Sequence, residues 1–244
     1  MPQVRWEKEN MRFSMCAFPL IGILTGAVMW LFCSFCVKLS FPDILRAAGL
    51  TLIPVWISGG IHLDGYLDVS DALASRGDIK KRLAILKDPG IGAFAAIRLV
   101  CLMITELALW ASCPEAMYDP VLTMLIFVFS RCLSGLSVLT FKFTEGSTMA
   151  SMFSDSGRAE GRAARIVQLC ECVIAAVLLC LKGMRGAACI VTAVIIFLYY
   201  KYMSEKKFGG LNGDQAGWFL TVSEAWMIAV TCLLPAAARI GGVL

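Results

Sequence analysis

Charge is scarce in this chain of 244 residues: Asp, Glu, Lys and Arg make up 16% of it against 59% hydrophobic residues, at a mean hydropathy of +0.76. So few charges exclude intrinsic disorder and leave no flanks for a coiled coil, and so apolar a chain does not make a single-domain enzyme in water. The 21 glycines follow no triplet period, which excludes collagen. A net charge of +4 is too mild to point to nucleic acid. Histidine is nearly absent, with His62 alone, so Cys33-Ser-Phe-Cys36 has metal or redox spacing but neither a second pair nor an imidazole nearby. Most other cysteines (Cys101, Cys132, Cys170, Cys172, Cys180, Cys189, Cys232) also lie in apolar runs and read as small helix residues, not as a disulfide framework. The first apolar run lacks a small-residue cleavage site and is too long for a signal peptide, so it reads as a retained helix. No internal repeat of the kind found in many secondary transporters is visible.

What is present is a series of apolar runs matched to the hydrocarbon thickness of a bilayer. They predict an all-α, polytopic integral membrane protein, one transmembrane domain over 1–244, with about seven spans. These lie near 18–37, 44–60, 92–112, 120–140, 166–181, 186–203 and 218–236. The second and fifth are short and the sixth ends on Tyr199, Tyr200 and Lys201, an interfacial signature, so six or eight spans remain open. Gly22 and Gly26 offer a face for close helix packing. With the N-terminus placed in the cytoplasm, Lys and Arg divide fifteen inside to five outside, Arg98 and Arg131 falling within spans. The inside set includes Arg5, Lys8, Arg12, Arg76, Lys80, Lys81, Arg82, Lys87 and Arg158. The long loops 61–91, 141–165 and 204–217 then all face the cytoplasm, and chemistry belongs there.

The segment Gly59-Gly-Ile-His-Leu-Asp-Gly-Tyr-Leu-Asp-Val-Ser-Asp71 is the sharpest in the chain. On a helix Asp64, Asp68 and Asp71 form one carboxylate stripe whose mutual repulsion calls for a partner. Mg²⁺ is the natural one, since it takes oxygen ligands and links one or two carboxylates to substrate phosphates. His62, on an adjacent turn, is placed to contact a phosphate or shuttle a proton. Gly59, Gly60 and Gly65 would admit a bulky substrate close to the backbone. A plainer reading is a solvated acidic helix end.

Asp78 then N-caps a short basic amphipathic helix with Ile79, Leu83 and Leu86 on one face. It either anchors to the inner leaflet or offers Arg76, Lys80 and Lys87 to a polyphosphate, with Asp88 as a further oxygen ligand. Gly209-Gly-Leu-Asn-Gly-Asp214 opens the last span. Its free amides suit phosphate, Asp214 suits a metal, and a simple interhelical turn accounts for the glycines equally. Inside the spans, Arg98, Glu171 and Glu224 sit roughly 9 Å, and Arg131 roughly 15 Å, below the cytoplasmic ends at 1.5 Å per residue. Such costly charges suggest a polar cavity under the acidic stripe with Glu106 as its floor, or ion pairing of Arg131 with Glu171 or Glu224.

Together with Leu83-Ala-Ile-Leu-Lys-Asp-Pro-Gly-Ile-Gly92, the Gly59–Asp71 string resembles the cobalamin synthase family, adenosylcobinamide-GDP ribazoletransferase, over essentially the whole chain. Ser130-Arg131 and Gly209-Gly-x-x-Gly-Asp214 look like its remaining marks. The resemblance implies a multi-pass enzyme of the bacterial inner membrane with its active site toward the cytoplasm. Such enzymes join adenosylcobinamide-GDP to alpha-ribazole or its 5'-phosphate, release GMP and require Mg²⁺. Carried over, His62, Asp64, Asp68 and Asp71 match the acidic motif, Lys87 and Asp88 the second, and Gly209, Gly210, Gly213, Asp214 and Glu224 the third. Ala72, Ala93-Phe94 and Thr221 depart from the family's usual Gly, polar pair and Glu. The implied roles are Mg²⁺ on Asp64, Asp68 and Asp71, a proton taken by His62 or an Asp, and a departing phosphate met by Arg76, Lys80 or Lys87. The cavity between spans would receive the corrinoid. A homo-oligomer, or a complex with other enzymes of cobalamin synthesis, is the partner class that fits.

Two other classes compete. A CDP-alcohol phosphatidyltransferase also lines up aspartates at a membrane surface, but Leu67-Asp68 stands where it needs Ala-Arg. A transporter would use the buried charges as an ion path, yet the acidic stripe lies at the interface and not at the midplane.

Overall fold

The computed structural model describes residues 14–113, 118–145, 147 and 159–240. Among them nine helices follow in chain order: α1 (Ser14–Lys38), α2 (Asp43–Ser58), α3 (Ile61–Ala74), α4 (Ile79–Ile85), α5 (Ala93–Ala111), α6 (Pro120–Thr140), α7 (Ala159–Cys180), α8 (Gly183–Phe208) and α9 (Gly213–Ile240). Six are long and apolar enough to cross a membrane; α2 qualifies only jointly with α3, from which it is bent by 92°, which would make seven. Large apolar side chains such as Trp30, Phe94, Ile174 and Leu198 point outward. Water would penalise that surface, and hydrocarbon does not. The chain is an all-α polytopic membrane protein.

α6 is the central post, buried along most of its length and packed by α1, α7 and α9. It starts cleanly, with Pro120 in the first turn and Asp119 Oδ1 accepting from the Leu122 amide at 2.9 Å. The glycine face of α1 does what its spacing predicts. A Cβ at Gly22 would run into the Phe127 backbone and one at Gly26 into Met124, so glycine is what lets α1 and α6 approach.

Several boundaries differ from the hydropathy reading. Tyr200 is not an interfacial end: it is fully buried, its ring stacked on Phe219 at 4.8 Å, and α8 continues to Phe208. The segment 204–217 is therefore no long loop. Only Gly209–Asn212 separates α8 from α9, because polar residues in a helix end satisfy their backbone without leaving the helix. The segment 61–91 is likewise mostly helical, as α3 and α4. Arg5, Lys8, Arg12 and Arg158, part of the inside charge set, lie outside the described residues.

The right-angle turn from α2 to α3 is made by Gly59 and Gly60, at φ 63° and 81°, in the left-handed region that side chains disfavour. Turned this way, α3 lies at a right angle to α2 and packs on α9 and α5.

Candidate active site

Asp64, Asp68 and Asp71 all stand on α3, so the predicted stripe is a single helix face. A fourth carboxylate joins it from a different part of the chain. α9 begins at Gly213, and its first turn crosses α3 so closely that a Cβ on Gly65 would lie 2.5 Å from the Asp214 carbonyl oxygen. The missing side chain of Gly65 thus serves helix packing and not substrate approach. Asp68 registers the crowding: burial first, then Asp64, Asp214 and Asp71, push its carboxyl up to about 6. At the other end of the stripe, a Cβ on Gly92 would collide with the Asp71 carboxylate, so the 90–92 turn closes over it. Asp68, Asp71, Gly90, Ile91 and Gly92 line a small cleft there.

These carboxylates fit a hard divalent cation in donor chemistry and in their unrelieved repulsion. Among the described residues, however, no three His, Cys, Asp or Glu side chains already converge as a ligand set. Mg²⁺ does not require such a cage, because it keeps several waters and is completed by substrate phosphates. Asp88 is less well placed than its type suggests, since its Oδ1 accepts from the Gly90 amide at 2.9 Å and organises its own turn.

His62 is not brought to the acidic face. Two residues on a helix are about 200° apart, and the imidazole turns into the bundle, edge-on to Phe18 at a centroid distance of 6.4 Å. Thr221 donates to the His62 carbonyl at 3.1 Å and pins the start of α3 to α9.

His62 lines a cavity of about 480 Å³, mouth included, under the α2–α3 bend, with walls from α2, α5, α6 and α9. Arg131 lies in its wall and pairs with Glu224 at 2.6 Å, Ser130 donating to the same carboxylate oxygen at 2.6 Å. The guanidinium also stands over the Phe18 and Phe127 rings at 5.8 and 5.6 Å. Of the two pairings open from sequence, Glu224 is the partner. Glu106 faces the same cavity as expected, but Arg98 and Glu171 are not among its lining residues. Arg98 reaches the Ser70 carbonyl of α3 at 3.0 Å.

The glycine loop before α9 is not an open phosphate cradle. The Gly210 amide donates to the Ser204 carbonyl at 2.9 Å and the Leu211 amide to the Lys142 carbonyl at 2.8 Å. Gly210, at φ 152°, lets the Phe143 backbone pass, and Gly209 ends α8 in a left-handed cap. Gly213 opens α9 beside Asp214, which is the part of the loop that reaches the acidic face.

α4 is a docked element. Asp78 caps it through the Lys81 amide at 2.9 Å, Leu83 and Leu86 pack on the core, and Arg82 reaches the Lys207 carbonyl. Arg76, Lys80 and Lys87 stay exposed on the segment that follows the acidic helix. The site thus gathers four carboxylates, with Arg76, Lys80 and Lys87 exposed on the segment that follows in the chain. Sequence reading missed the Thr221 tie and the closure of Gly92 over Asp71.

The cobalamin-5-phosphate synthase family model matches residues 1–232. Adenosylcobinamide-GDP ribazoletransferase of Lachnoclostridium phytofermentans is 38% identical over 231 residues, 92% of this chain and 85% of its own. Proteins of that name from Clostridium botulinum (32%; 96% of this chain, 92% of its own) and Clostridium perfringens (31%; 92% and 88%) are similar as well. No solved structure matches. Whole-length similarity of this kind leaves no place for the lipid phosphotransferase or transporter readings: the chain is an enzyme and belongs to the cobalamin-5-phosphate synthase family.

Proposed function

We propose that this enzyme transfers the adenosylcobinamide phosphate of adenosylcobinamide-GDP to alpha-ribazole or its 5'-phosphate, releases GMP, and uses Mg²⁺, at the cytoplasmic face of a bacterial inner membrane. The observation that carries the reading is the meeting of Asp214 with the acidic face of α3; exposed Arg76, Lys80 and Lys87 follow in the chain. Asp64, Asp68 and Asp214, which act on one another electrostatically, would hold the cation, with Asp71 beside them. Bound there, Mg²⁺ would neutralise charge on the pyrophosphate and on the leaving GMP.

The remaining steps belong to the chain's own residues. A ribose hydroxyl of the acceptor forms a new P–O bond to the phosphorus that carries the corrinoid side, and the P–O bond to GMP breaks. The hydroxyl proton passes to a carboxylate of the α3 face. His62, turned into the bundle against Phe18, stands away from that face. Arg76, Lys80 and Lys87 meet the departing phosphate.

GMP release by membranes containing the protein tests the reading. It should require both the GDP-activated donor and a ribazole form, and excess EDTA should abolish it. Release from the donor alone, or undiminished release in EDTA, would contradict the assignment.

A further inference from the structure

We infer that Lys81, Lys142, Lys206 and Lys207 form a headgroup site for an anionic phospholipid, at the edge of the molecule where α4 docks on the end of α8. The inference stands apart from the transferase reading.

Length and charge put the end of α8 in a headgroup layer. Its 26 residues extend about 39 Å at 1.5 Å each, against a hydrocarbon core of about 30 Å. Between Arg185 in its first turn and Lys201 the helix carries no charge, whereas Lys201, Glu205, Lys206 and Lys207 crowd its last turns. The excess length therefore lies at the lysine end.

Segments far apart in the chain are tied to that end. Arg82 of α4 donates to the Lys207 carbonyl at 3.4 Å, and a Cβ on Gly209 would lie 3.6 Å from Ile79. From the stretch after α6, the Lys142 carbonyl accepts from the Leu211 amide at 2.8 Å, and the Thr144 amide returns a bond to the Leu211 carbonyl at 3.0 Å. Lys81, Lys142 and Lys206 are exposed and Lys207 half-buried, and none of the four forms an ion pair among the described residues. The carboxylates of this edge are Asp78, Glu145 and Glu205, of which Asp78 accepts from the Lys81 amide at 2.9 Å. With Lys80, Arg82 and Lys201 included, seven basic residues stand against those three. The surplus calls for an anion.

The surface of α8 that leads up to the lysines makes that anion a lipid. Val191, Ile195, Leu198 and Tyr202 are exposed at helical spacing, and the next position on the same face is Lys206. An acyl chain laid along this strip ends with its phosphate at Lys206 and Lys207. Tyr199, exposed and 5.9 Å from the Trp218 ring, adds the aromatic pair that favours the headgroup level. A free phosphate would use the lysines and leave the strip without a role.

The test reconstitutes the full-length protein in nanodiscs of equal parts phosphatidylglycerol and phosphatidylcholine, extracts it in mild detergent, and counts the retained lipids by native mass spectrometry. The wild type should keep phosphatidylglycerol over phosphatidylcholine by about tenfold or more. A lysine near an anionic surface is worth about fivefold in affinity, so the double variant Lys206→Gln/Lys207→Gln should lower that preference about tenfold or more. Lys206→Arg/Lys207→Arg should keep it, since the charge is retained. If the Gln variant melts earlier than wild type, Lys81→Gln/Lys142→Gln takes its place, with the same loss expected. Equal retention of the two lipids by the wild type, an unchanged preference in a well-folded Gln variant, or equal loss in the Arg variant overturns the site. Displacement of phosphatidylglycerol by an equal concentration of inorganic phosphate would make it a site for free phosphate and overturn the lipid assignment.

Discussion

The acidic face owes its chemistry to crowding. Asp68 is pushed up to about 6 by burial and by three neighbouring carboxylates, so it carries a proton below that pH and is ionised above it. A cation binds the ionised form. Mg²⁺ affinity should therefore rise as pH climbs through about 6 and level off above it, and Mg²⁺ added near pH 6 should displace protons. A pH-stat titration checks this, with Asp68→Asn expected to lose most of the proton release. An affinity flat from pH 5 to 8 would separate Asp68 from the cation. The Asp64, Asp68 and Asp71 stripe was legible in the sequence because helical spacing alone aligns it. The direction of His62 was not, because facing is decided by what α3 packs against, and Phe18 and Arg131 come from helices far away in the chain.

At the scale of elements, small residues and one buried ion pair set the helix positions that bring the site together. The Arg131–Glu224 pair joins α6 to α9 at 2.6 Å with both groups buried. Removing one partner leaves the other charge uncompensated, so Arg131→Met should destabilise the protein by about 3–5 kcal/mol. Reversible unfolding in mixed micelles measures this, and a loss under about 1 kcal/mol would mean that the pair is hydrated and not structural. The glycine face of α1 could be read from the Gly22 and Gly26 spacing, since close helix packing in membranes has a recognisable signature. The lengths of α8 and α9 could not. Hydropathy loses a helix where it turns polar, whereas Ser204, Gln215 and the Gly209 cap keep these ends folded through their own hydrogen bonds and burial.

For the whole molecule, apolar composition fixes the class of fold and charge asymmetry gives a testable orientation. A single cysteine introduced as Lys80→Cys, on exposed α4, should react with a membrane-impermeant maleimide in inverted vesicles and not in intact cells. Labelling from outside the cell would reverse the topology. The right-angle bend at Gly59 and Gly60 was not legible, although the glycines were, because a left-handed pair permits a turn without specifying its direction. Beyond that bend the acidic helix packs on α9, where Asp214 meets it. We propose that phosphoryl transfer takes place on this face. Its most direct test is GMP release by Asp64→Asn protein whose melting temperature matches the wild type. Turnover should fall by about 10²-fold or more, and near-normal turnover would show that the chemistry lies elsewhere.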